Sequence, residues 1–65
     1  MMTCNYRGFE VIVKYNEIYY VSTVPEMPSI MDFAMSAEEA MDLSFESIDM
    51  VLEHFPEMKK DDING

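Results

Sequence analysis

Five carboxylates, Glu39, Asp42, Glu46, Asp49 and Glu53, are the side chains of this sequence whose type and spacing could do chemistry together. They recur at intervals of three, four, three and four residues. On an α-helix, at about 100° per residue, that spacing places all five within an arc of roughly 80° along about 21 Å of axis. Neighbouring carboxylates at these separations cost a few tenths of a kcal/mol each, where a Glu to Lys pair would contribute a similar amount. No Lys or Arg interrupts the stretch from residue 37 to residue 55. Both a solvated helix face and a surface that docks a basic partner fit such a ladder.

Other reactive side chains point to less. His54 stands near the expected helix end, where an imidazolium favours the dipole. Cys4 has no base at a recognisable spacing and cannot form an intramolecular disulfide. Asp42, Glu46 and Asp49 lie on a straight helix without the glycine-containing loop that wraps a calcium ion. No catalytic residue, metal site or cofactor is expected, and the chain reads as a non-enzyme.

The elements that must position the ladder are legible from periodicity. Phe9 to Val24 alternates with period two around a polar break at Asn16-Glu17, the pattern of a β-hairpin. A two-residue loop there would pair Tyr15 with Ile18, Val13 with Tyr20, Val11 with Ser22 and Phe9 with Val24 on the core face. Ile12, Tyr19 and Val21 would lie on the other face, as a dimer or partner surface. Pro25 and Pro28 end the second strand, and a third is expected over Ser29 to Met35. Ser36-Ala37-Glu38-Glu39 is a capping box, and Pro56 stops the helix near Phe55. Ala37, Ala40, Met41, Ser44, Ile48, Val51, Leu52 and Phe55 form its apolar stripe.

The expected fold is α+β, an antiparallel three-stranded β-meander covered by one long amphipathic helix, in the order β-β-β-α. Residues 1–65 form a single domain with an ordered core over about 6–56. Met1 to Asn5 reads as a frayed arm and 57–65 as an acidic, solvated tail.

Composition narrows the partners. The chain has 65 residues, 13 acidic and 4 basic, for a formal charge of -9, and 49% of it is apolar. It is rich enough in apolar residues to collapse, and too small for a deep pocket. Such a charge repels phosphate backbones and anionic lipid, so neither direct nucleic-acid binding nor membrane binding is expected. The apolar runs are too short for a membrane span or signal peptide, and a cytoplasmic protein is expected. A basic protein is the complement of this surface. The open edges of a three-stranded sheet further predict a homodimer.

The order of these elements resembles the N-terminal domain of HicB-type antitoxins. The residues that carry the likeness are Tyr19-Tyr20-Val21 before Val24-Pro25-Glu26-Met27-Pro28, then Ser36-Ala37-Glu38-Glu39-Ala40 opening a helix that continues through Glu46-Ser47-Ile48. The likeness covers about residues 8 to 55. It implies a partial ribonuclease H-like unit without a catalytic metal site, neutralising HicA, a small basic toxin that cleaves messenger RNA through a catalytic histidine. The chain departs from the family pattern at Ser29 and Ile30, where Gly and Cys are usual, and at Ala34 and Met35, where a Gly is usual. Family members typically append a DNA-binding domain. This chain stops about ten residues beyond its helix, and the expectation is a stand-alone inhibitor. The alternative is a nucleic-acid mimic of the anti-CRISPR or anti-restriction kind.

Overall fold

The computed structural model describes residues 1–60. Four strands, β1 (Met2–Tyr6), β2 (Phe9–Tyr15), β3 (Tyr20–Thr23) and β4 (Met31–Ala34), precede a helix, α1 (Ala37–His54), and a short 3-10 turn over Pro56–Met58. The strands form one antiparallel sheet in the order β1-β2-β3-β4. The helix packs across β2, β3 and β4. The α+β class stands, with four strands rather than three.

The additional strand is the stretch expected to be an arm. Cys4 and Tyr6 alternate inward while Thr3 and Asn5 point out, and Arg7 and Gly8 both take positive φ, at 54° and 89°. Two consecutive residues of that kind make the mirror-image turn that suits the twist of a two-residue hairpin. Asn5 fixes it by accepting from the Gly8 amide (3.1 Å). A Cβ at Gly8 would lie 2.8 Å from the Cβ and Cγ of Lys60. That side chain covers the Phe9 ring and pairs with Glu26 at 2.8 Å. Residues 56–60 therefore fold back on the sheet, whereas the rest of the expected tail, 61–65, lies outside the described residues.

The loop between β2 and β3 is longer than expected. Asn16 donates to the Tyr19 carbonyl, and its side-chain oxygen accepts from the amides of Ile18 and Tyr19 (3.1 and 2.9 Å). Tyr15 consequently pairs with Tyr20, and Val13 with Ser22, two residues away from the expected register. A shift of two keeps every side chain on its face, where a shift of one would have inverted them all. Phe9, Val11, Val13, Ser22 and Val24 are accordingly buried, while Tyr15 and Ile18 are left exposed near the loop.

Beyond β3, Pro25 and Pro28 each take the second position of a turn, closed by Met27 N–H to Val24 O and Ile30 N–H to Met27 O (2.9 Å each). The tandem turn buries Met27 and Ile30 and leaves β4 only four residues long. Ser36 caps α1 by accepting from the Glu39 amide (3.1 Å). The core stripe is Ala40, Ser44, Ile48 and Leu52, with Phe55 exposed past the last turn. Inside this apolar layer Ser22 donates to the Ala40 carbonyl and contacts the Ser44 hydroxyl, which donates to Asp32 of β4 (3.1 Å). Each of these buried hydroxyls has a partner, which offsets the cost of placing polar groups between sheet and helix.

Candidate functional site

The helix face turned away from the sheet carries the ladder. Glu39, Asp42, Glu46 and Glu53 are exposed. Asp49 sits at the margin, half-buried, because its position on the helix circumference points it toward β1. There it accepts from the Tyr6 hydroxyl (3.0 and 2.9 Å) and forms an ion pair with Arg7 (2.8 Å). The Arg7 hydrogen bond, then that of Tyr6, holds the Asp49 carboxyl below its usual range. Its bond to Asp49 in turn raises the Tyr6 phenol. The Tyr6 ring also stacks on Phe45, with centroids 4.3 Å apart and planes at 11°.

Four of the five ladder residues are thus presented to solvent, while the fifth ties the β1–β2 turn to the helix. Neither Phe45 nor Arg7 figured in the expected site. Arg7 lies 42 residues from its acidic partner, a separation that no helical or strand periodicity spans. The turn residues Arg7-Gly8, together with the alternation of Met2, Cys4 and Tyr6 with Thr3 and Asn5, are the local signals that bring β1, and with it Arg7, to this face.

The distribution of cations divides the ladder further. Of the 4 basic residues in the chain, Arg7, Lys59 and Lys60 gather at the β1–β2 turn. Arg7 and Lys59 share an open cleft of about 350 Å³ with Asp49, Leu52 and Glu53. Compensating charge therefore accompanies the C-terminal half of the ladder. Glu38, Glu39, Asp42 and Glu46 form hydrogen bonds or ion pairs through their carboxylates with no side chain among the described residues. Their potential is concentrated at the N-terminal half of α1.

The remaining expected residues have structural surroundings. The Cys4 thiol lies 3.3 Å from the Met41 sulfur, and burial pushes its pKa up, which disfavours the nucleophilic thiolate. His54 Nδ1 contacts the Met50 carbonyl at 2.9 Å, one turn earlier in the helix. No group of three or more His, Cys, Asp or Glu that could hold a metal ion occurs among the described residues. Ile12, Tyr19 and Val21 are half-buried on the uncovered side of the sheet, where Tyr19 meets Phe33 edge to face at 5.2 Å. No helix of the described residues is long and apolar enough to cross a membrane.

Set against models of known families, characterised proteins and solved structures, the chain matches none.

Proposed function

We propose that this chain is a non-enzymatic, HicB-like inhibitor that neutralises a basic, nucleic-acid-processing protein by surface contact. The observation that carries the reading is the exposed row Glu39, Asp42, Glu46 on a helix without Lys or Arg, outside the cleft that Arg7 and Lys59 line. Charge complementarity of this kind steers association and selects a partner of opposite sign. The partial ribonuclease H-like unit belongs to the same reading. It is supported by the proline turn after β3 and the Ser36 cap, two of the segments on which the family likeness rests. Leu43 and Met50, both exposed on the β4 side of the ladder, offer an apolar margin for a protein surface to close on.

The test is messenger RNA cleavage by a small basic ribonuclease of the HicA kind, taken from the neighbouring gene where that gene encodes one. Equimolar chain stops cleavage, and the double variant Asp42→Lys with Glu46→Lys requires at least about tenfold more protein to do so, a loss of about 1.4 kcal/mol. Cleavage that continues in excess chain ends the inhibitor reading. Equal potency of the variant shows the ladder to be only a solvated face.

The regular spacing of the ladder favours one further reading, a nucleic-acid mimic in which carboxylates occupy a channel meant for phosphates. Competition separates the two. A mimic is displaced by generic DNA as readily as by RNA, whereas an inhibitor that covers the active site of one RNA-cleaving toxin is not displaced by DNA.

A further inference from the structure

The sheet is covered on one side only. Opposite the helix, the strand register places Thr3, Ile12, Thr23 and Met31 in one row across the sheet and Lys14, Val21 and Phe33 in the next. Met31 is 56% exposed and Phe33 51%. From half-buried Ile12 and Val21 at its middle to exposed Met31 and Phe33 on the edge strand β4, this face carries neighbouring apolar side chains, which a small monomer seldom leaves in water.

Charge decides what can cover it. At a net charge of -9, two copies of the chain repel one another over most of their surface. Here the local balance is different. Glu10 and Lys14 are the charged residues of β2, with opposite signs and each two positions from Ile12. Two such strands laid antiparallel face to face bring each Lys14 opposite a Glu10, so the face is complementary to itself. A basic partner finds no excess of acid on it. We propose that this face docks a second copy of the chain, sheet against sheet across a two-fold axis, with the helices on the outside.

The required area is available. A standard interface takes about 800 Å² per partner, roughly a fifth of the chain's 4387 Å² of accessible surface. Sheets stacked about 10 Å apart would leave each acidic ladder pointing outward, one on either side of the dimer. The proposal does not rest on the inhibitor reading, because its test contains no partner.

Light scattering of the purified chain across a concentration series measures it. The expected mass is twice 7.6 kDa, and Phe33→Lys, at a position already half in water, halves that mass without changing the far-ultraviolet spectrum. Glu10→Lys and Lys14→Glu each raise the dimer dissociation constant about tenfold by placing like charges together, and the double exchange restores it. A wild-type chain that stays at 7.6 kDa at millimolar concentration overturns the proposal. So does a Phe33→Lys chain that remains a dimer, or a double exchange that fails to restore assembly.

Discussion

The two faces of the sheet are built from the same strands and differ in nearly everything else. Toward the helix, Phe9, Val11, Val13 and Val24 are at most 2% exposed, and the polar groups among them, Ser22 and Ser44, are hydrogen-bonded. Away from the helix, residues one position along the same strands, such as Ile12 and Val21, are only half covered, and Phe33 stands half in water. The first face holds the fold together and the second is free to vary with little effect on it. The outer face of α1 contrasts with both, since its acids weaken the helix slightly and contribute nothing to the core.

Breaking the covered face has the largest expected effect. Ile48, fully buried at the centre of the helix stripe, should cost about 3 kcal/mol when cut to Ala, from lost burial and the cavity left behind. Denaturant unfolding measures this, as a lower midpoint at unchanged slope. Ser44→Ala should cost about 1–2 kcal/mol in the same assay, because Asp32 loses a donor at the layer between sheet and helix. The open face should behave differently. Phe33→Ala is expected to change the stability of the dilute chain by under about 0.5 kcal/mol, as surface substitutions generally do.

The loop beyond Tyr15 offers a change of opposite sign. Glu17 has φ 80°, a left-handed conformation that disfavours a side chain. Glu17→Gly should stabilise by about 0.5–1 kcal/mol, read as a higher thermal midpoint, since relief of strain outweighs the added chain entropy.

Asp49 supplies the smallest effect and a pH signature. Its carboxyl is held below the usual value of 3.8 in the folded chain. The contribution is therefore present above that value and is lost as pH falls through the lower folded value. Its ion pair with Arg7 is exposed, so Asp49→Asn should cost only a few tenths of a kcal/mol at pH 7. Acid titration of both chains checks this, and their stabilities should converge below the usual carboxylate range.

Legibility in the sequence followed the range of the interactions. The helix start at Ser36, its stop before Pro56 and the inward residues of β2 depend on neighbours within a few positions, and local patterning located all three. The four-residue loop at Asn16 was missed because a side-chain hydrogen bond, rather than a positive-φ glycine, builds the turn. The two-residue error in register still left the core face correct. β1 was missed because it is short and at the chain end, and its alternation of Met2, Cys4 and Tyr6 with Thr3 and Asn5 spans only five residues, too few to set a strand apart from an arm. With β1 absent, Arg7 had no reason to meet Asp49, and the ladder read as five equivalent acids rather than four presented and one engaged.

The measurement that bears most directly on the account is made on the chain with Asp42→Lys and Glu46→Lys, comparing its stability with its inhibition of a basic ribonuclease partner. Both positions lie outside the helix cap, and the exchange turns the pairs with Glu38, Glu39 and Asp49 from like to opposite charge, while positions 42 and 46 remain a like-charged pair. Stability is expected to rise by a few tenths of a kcal/mol while inhibition weakens at least about tenfold. Undiminished inhibition by this more stable chain would contradict it.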